Sequence, residues 1–292
     1  MPGVRAQLTT FAYRGATRVA SVIPTPLVPA LGRVAGRVGG WVQPGNRRMS
    51  ARHQSRVKGA NDGVDVDAVF ESYGRYWLEI FRLPSEVRRG EVVPNFTITG
   101  YEHIVDGLAV GKGVILALPH LGGWEWAAAW MAAQGHYMLA VVEPLDPPEL
   151  FDWFERQRQA IGLEIVPIGP DVSKRVLGAL RDNRIVCLLS DRDLTGDGVE
   201  VEFFGERTTL PAGPATCALR TGAVLLPVAV YFQVGRQHHG DVRAPIATDR
   251  RGTLREDIAR ITQDLAREFE DLIRAAPDQW HLLQPNWPSD RS

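Results

Sequence analysis

Strands and helices alternate along most of the chain, judged by the spacing of its apolar positions. "VDAVFESYGRYWLEIFRL" (residues 66–83) repeats apolar residues at helical spacing, and Pro84 is expected to end that helix or to follow it. "YEHIVDGLAV" reads as a helix leading through Gly111 and Gly113 into the strand "VILAL" at 114–118. Further on, the helices "WEWAAAWMAAQ", "PELFDWFERQRQAIG" and "VSKRVLGALRDN" are followed in turn by the strands "YMLAVV", "LEIVPI" and "RIVCLLS". Strands joined by helices of these lengths pair in parallel, which predicts an α/β fold with a central, mostly parallel sheet flanked by helices. "GVEVEFFGERTTL" has two extended runs around Gly205 and reads as a hairpin or a pair of edge segments, with Glu200 and Glu202 facing solvent. "PAGPATCALRTG" then reads as a helix, "AVLLPVAVYF" as a strand, and "LREDIARITQDLAREFEDLIRAA" as a long amphipathic helix stopped by Pro277. That last helix carries Ile258, Ile261, Leu265, Phe269, Leu272 and Ile273 on one stripe.

The first sixty residues have a different pattern. Leu27, Leu31, Val34, Val38 and Trp41 recur at alternating steps of four and three, and Arg33 and Arg37 fall off that stripe. This is a basic amphipathic helix, suited either to a membrane interface or to packing on the protein's own core. The simplest division is a basic amphipathic helical segment over 1–60, a candidate for membrane association, and a single α/β domain over 61–292.

Charge sharpens that division. The net charge is -1, yet residues 1–60 hold Arg5, Arg14, Arg18, Arg33, Arg37, Arg47, Arg48, Arg52, Arg56 and Lys58, and the first acidic residue is Asp62. Such a segment is drawn to nucleic acid, to an anionic membrane face or to an acidic surface of the same protein. Few aromatic residues are interleaved with the basic ones, so nucleic acid is not the expected partner. No apolar run reaches the roughly 18 residues of a membrane span, and no signal-peptide h-region stands at the N-terminus. Cys187 and Cys217 make neither a disulfide framework nor a Cys-x-x-Cys pair, which fits a reducing compartment.

The candidate chemistry lies in "LALPHLGGWEW" (116–126). Residues five apart on a continuous helix sit about 140° from one another, so His120 and Glu125 would not share a helical face. Pro119 and the Gly122-Gly123 pair instead end the strand and turn the chain, so that the helix begins near Trp124. His120 is then at the carboxyl end of a strand, the edge where open α/β sheets bind ligands. A tight turn could bring Glu125 against it and make the imidazole a stronger base. The N–H groups of Gly122 and Gly123 are candidate oxyanion donors. The competing reading is a strand-end histidine with a glutamate that favours the helix dipole.

Other chemistries lack their signatures. No Gly-x-Ser-x-Gly surrounds a serine, no His-Glu-x-x-His or other zinc spacing occurs, and no phosphate-binding glycine loop joins a strand to a helix. His238 and His239 adjoin in a stretch read as a solvent-facing loop. Trp124, Trp126 and Trp130 fall at helical spacings that suit the core.

The His-x4-Asp/Glu pattern after an apolar strand resembles that of the glycerolipid and lysophospholipid acyltransferases. More specifically, "LPHLGGWEW", "SDRDLTGDGVEVEFFGERTTLPAGPATCALRTGAVLLPV" and the closing "PDQWHLLQPNW" are similar to the bacterial lipid A lauroyl/myristoyl acyltransferase family, in its branch of phosphatidylinositol mannoside acyltransferases. The likeness runs from about residue 60 to about 287. It implies transfer of a long acyl chain from acyl-CoA, a co-substrate and not a cofactor, to a mannose hydroxyl of a glycolipid acceptor. The place of work would be the anionic cytoplasmic face of the plasma membrane, with peripheral attachment and no metal. His120 would be the general base acting without a covalent acyl-enzyme, and Glu125 the second member of the family pair. Asp191 stands where the branch has a glutamate thought to pair with the histidine. Glu143 matches a glutamate at the substrate groove of that branch, and Arg158 and Arg192 match basic positions suited to phosphate or acyl-donor contacts. The alternatives are an acyltransferase on another glycolipid or lysophospholipid, or a catalytically silent lipid-binding relative.

Overall fold

The structure is a computed structural model that describes residues 4–59 and 63–291.

 Of residues 4–10, Ala12 and Arg14 only the backbone course is described, so the expected roles of the Arg5 and Arg14 side chains, like the domain boundary drawn at residue 60, lie outside the described residues.

Seven strands form the central sheet: β1 (Phe96–Thr99), β2 (Val114–Leu118), β3 (Met138–Val142), β4 (Leu163–Pro167), β5 (Ile185–Leu189), β8 (Val224–Phe232) and β9 (His238–Val242), while β6 (Val199–Phe203) and β7 (Glu206–Leu210) pair separately as an antiparallel hairpin. The sheet order is β1-β9-β8-β2-β5-β3-β4, and every pairing is parallel except β8 with β9. Between the strands run α5 (Tyr101–Ala109), α6 (Trp124–Ala133), α7 (Pro148–Gln159), α8 (Val172–Arg181) and α9 (Gly213–Thr221), and α10 (Leu254–Ala275) follows β9. The expected α/β fold with a mostly parallel sheet is the one observed.

The central strands are apolar at consecutive positions because both sheet faces are covered. Along β2, Ile115 and Ala117 join one core with α8, α9 and α10, while Val114, Leu116 and Leu118 join the other with α5 and α6. The apolar stripe of α10 enters the first core as expected, and a capping box between Thr253 and Glu256 starts the helix. Trp124 and Trp126 are buried in the second core, with Trp130 packed against it.

Two expectations are corrected. The stretch containing His238 and His239 is not a loop but strand β9, and His238 is fully buried. The imidazole is accommodated there because its Nε2 meets Glu79 at 2.8 Å and its ring stacks on Trp126 at 4.2 Å; His239, one residue on, faces the other way and meets Thr97 and Thr99. Nor does Pro84 end its helix: α4 runs from Val66 to Arg88. An interior proline costs about 3 kcal/mol, but the buried Arg82–Glu86 ion pair spans it, and the same guanidinium bonds the carbonyls of Ala20 and Ile23.

Ahead of α4 come α1 (Val4–Val22), α2 (Val28–Trp41) and α3 (Pro44–Lys58). Gly32 and Gly36 of α2 meet Gly74 of α4 so closely that a methyl group at Gly36 would overlap the Phe70 carbonyl. With the glycine side against α4, the stripe Leu27, Leu31, Val34, Val38 and Trp41 faces outward at 43–62% exposure. Several basic residues, by contrast, find acidic partners within the chain: Arg37 and Arg47 bind Asp67, and Arg56 binds Glu206 and Asp290.

Candidate active site

Strand β2 delivers His120 to the carboxyl edge of the sheet. After Pro119 the chain turns sharply, with the Leu121 N–H donating to the Pro119 carbonyl at 2.8 Å. Gly122 has φ +56, and a side chain there would strike the Val230 carbonyl. The next strand in the sheet, β5, carries Asp191 to the same edge. The Ser190 N–H bonds the Leu118 carbonyl at 2.9 Å, which locks the two strand ends together.

His120 and Asp191 form one unit. The imidazole Nδ1 lies 2.6 Å from Asp191 Oδ1, and the His120 backbone N–H donates to Oδ2 at 3.0 Å. The Asp191 side chain is fully buried and that of His120 is 41% exposed. Burial opposes ionisation of Asp191, but the adjoining His120 and the hydrogen bonds from His120 and Trp280 prevail and hold its carboxyl below the usual aspartate range. A carboxylate only accepts, so in the neutral imidazole Nδ1 carries the proton and Nε2 the lone pair.

Glu125 occupies a different place from the one its spacing suggested. It lies in the first turn of α6, which turns its side chain toward α4 and α7, and there its Oε1 accepts from Tyr76 Oη and from Arg158, each at 3.2 Å. The carboxylate hydrogen-bonded to His120 is Asp191. Burial raises the Glu125 carboxyl above its ordinary value even with Arg158 and Tyr76 beside it. The oxyanion expectation for Gly122 is also corrected: its N–H donates to the Gln279 carbonyl at 2.9 Å, so it is engaged within the protein. Gly123 precedes α6, and a side chain there would press on Phe232 and His238.

His120 opens onto a cavity of about 420 Å³. Glu143, Arg158 and Arg192 line the same cavity, and Arg192 meets Glu143 at 3.5 Å. Four of the six side chains singled out from the sequence therefore share one wall system, with Asp191 directly behind His120 and Glu125 directly behind Arg158. Tyr76, Trp77, Trp124 and Phe154 contribute aromatic lining, and Val141, Val172, Val176 and Leu188 aliphatic lining, joined by the Cys217 thiol. Among the described residues, no three His, Cys, Asp or Glu side chains gather as a metal site.

Sequence reasoning overlooked the backing of this site. Tyr76 sits on α4, 49 positions from the Glu125 it bonds. Trp280 donates its indole N–H to Asp191 Oδ2 at 2.7 Å, and Asn286 donates to the Asp191 carbonyl at 3.0 Å. His281, next to Trp280, donates its backbone N–H to the His120 carbonyl at 2.8 Å, while its ring meets Ser72. Burial, with a smaller contribution from the His120 charge, pushes the His281 imidazole down to about 3. The closing "PDQWHLLQPNW" was the available signal for the last three.

Residues 9–289 match the family model described as bacterial lipid A biosynthesis acyltransferase. A phosphatidylinositol mannoside acyltransferase of Mycobacterium tuberculosis is 43% identical over 260 residues, covering 86% of this chain and 80% of that protein. A protein of the same name from Mycolicibacterium smegmatis is 36% identical over 293 aligned positions, covering 98% of this chain and 93% of that protein. A lipid A biosynthesis acyltransferase of Haemophilus influenzae is 28% identical over 186 residues, 62% of this chain and 55% of that protein.

Proposed function

The chain belongs to the bacterial lipid A biosynthesis acyltransferase family, and from that premise we propose that it moves a long acyl chain from acyl-CoA to a mannose hydroxyl of a phosphatidylinositol mannoside. The observation that carries this reading is the 2.6 Å contact between His120 and buried Asp191 at the mouth of a largely apolar cavity. In the reaction, His120 Nε2 takes the proton of the acceptor hydroxyl as its oxygen attacks the thioester carbonyl. The Nδ1–H stays with Asp191, whose charge stabilises the imidazolium as it forms. The tetrahedral intermediate then collapses, the C–S bond breaks, and the imidazolium returns its proton to the departing thiolate. No covalent acyl-enzyme is needed.

The cavity walls divide the substrate. The apolar lining supplied by Val172, Val176, Leu188 and Cys217 suits the acyl chain, and Arg158 and Arg192 suit anionic groups of the donor or acceptor. Glu143 accepts hydrogen bonds and suits a sugar hydroxyl.

The outward apolar stripe of α2 supports peripheral attachment to a membrane, for which we favour the cytoplasmic leaflet, where acyl-CoA is available. No single helix among the described residues is long and apolar enough to cross a bilayer. An amphipathic helix lying in the interface holds such an enzyme reversibly beside its acceptor.

The test is an acyl-transfer assay with palmitoyl-CoA and a panel of phosphatidylinositol mannosides, with products followed by mass spectrometry. The wild-type protein should form a mono-acylated product, and His120→Ala should abolish it while lipid binding persists. Equal product with both proteins would overturn the reading.

A further inference from the structure

The closing segment runs behind the site and touches both halves of the His120–Asp191 pair. Leu121 and Trp280 pair as an antiparallel bridge, flanked by the Gly122 N–H to Gln279 carbonyl bond and the His281 N–H to His120 carbonyl bond. From this bridge the Trp280 indole reaches Asp191 Oδ2 at 2.7 Å, leaving Oδ1 for the imidazole. The indole is itself held firmly: it is 1% exposed and packs against His53 at 5.5 Å, Phe204 at 5.8 Å and Trp287 at 6.3 Å. Trp280 is not among the residues that line the cavity.

We propose that Trp280 is a positioning residue of the acyl-transfer site, whose indole N–H orients the Asp191 carboxylate and tempers the proton affinity of the His120–Asp191 pair. The proposal rests on the acyltransferase reading above. A carboxylate free to rotate would present either oxygen to the imidazole; with Oδ2 held by the His120 backbone and by Trp280, only Oδ1 faces Nδ1. The same N–H draws negative charge toward Oδ2. Without it, the pair binds a proton more tightly whichever atom receives it, so His120 stays protonated to higher pH. The other charged groups around the imidazole are Glu143, Arg158, Arg192 and Asp193 on the cavity wall, with neutral His281 behind it.

The experiment replaces Trp280 in the full chain by 3-benzothienylalanine, which keeps the bicyclic ring but has sulfur in place of N–H, alongside Trp280→Phe. The His120 ring is titrated by NMR, with its signal assigned from His120→Asn, and kcat and KM are measured across pH. Loss of the N–H should move the His120 titration and the acid limb of the rate profile upward by about one pH unit. The value of kcat near neutrality should fall roughly tenfold, with KM for the acyl donor changed less than about twofold. A benzothienyl variant with wild-type titration and wild-type kcat would overturn the proposal, even if Trp280→Phe loses activity through the cavity it leaves. Should the wild-type protein transfer no acyl group, the acyltransferase reading fails, while the NMR titration still decides whether the indole acts on His120.

Discussion

Asp191 grips His120 twice, accepting the imidazole Nδ1–H on one carboxylate oxygen and the backbone N–H of the same residue on the other. The bond to the backbone fixes where the strand ends and the bond to the ring fixes which nitrogen faces the cavity. A residue 71 positions away thus sets both position and tautomer.

Asp191→Asn should therefore disable the site without unmaking it. The amide can donate to Nδ1 and favour the wrong tautomer, and it supplies no charge for the imidazolium. By analogy with catalytic triads, kcat should fall by about 10³ to 10⁴ with a small change in KM, as read by steady-state acyl transfer.

Substitution of Glu125 should behave differently, because its bonds go to Tyr76 and Arg158. Glu125→Ala removes a buried carboxylate from Tyr76 and from the half-buried Arg158 guanidinium, and should cost about 1 to 2 kcal/mol of stability in denaturant titration. Glu125→Gln keeps acceptors for both partners and should retain far more activity than Asp191→Asn, with an unshifted acid limb in the pH–rate profile.

Acid should weaken the fold through His281. Its imidazole is held neutral down to about 3, whereas in the unfolded chain it takes a proton near 6.5. The unfolded state therefore binds more protons between those values, and stability falls as pH drops below about 6.5. At pH 5 this should amount to about 1 to 2 kcal/mol, and His281→Gln should remove that part of the difference between pH 7.5 and pH 5 in equilibrium unfolding.

The α2–α4 contact tolerates no side chain at Gly36. Gly36→Val should force the helices apart, at a cost of about 3 kcal/mol or more in thermal or denaturant unfolding, whereas Gly39→Ala, with open space around it, should be close to neutral.

Membrane attachment is best probed on the outer stripe of α2. Removing residues 1–43 would also strip α2 from α4 and uncover Phe70 and Arg75. Changing Leu31, Val34, Val38 and Trp41 to Ser leaves the packed glycine side intact. This variant should lose flotation with anionic liposomes while keeping the wild-type circular dichroism spectrum; undiminished flotation would remove the membrane assignment.

Much of this architecture was legible in the chain, because strands buried on both faces and helices with one buried face leave regular local patterns. The run 114–118 is strand β2 as read, and the α10 stripe points inward as read. Strand β9 escaped because "HHGDV" is polar; its His238 is acceptable in the core only because Glu79, on a distant helix, meets it. Pro84 misled for a related reason, since the contacts that sustain α4 past it come from the α1–α2 turn.

By itself the sequence determined the α/β alternation, the placing of His120 at a strand end and the amphipathic face of α2, all of which follow from residue spacing within a single element. Which carboxylate serves the imidazole was decided only by tertiary structure. Glu125 is five residues from His120, but its helix carries it toward Tyr76 and Arg158. Asp191 is remote in sequence, yet β5 lies next to β2 in the sheet, and parallel pairing brings their carboxyl ends to the same edge. The same pairing logic, through the Leu121–Trp280 bridge, places the closing segment behind both residues.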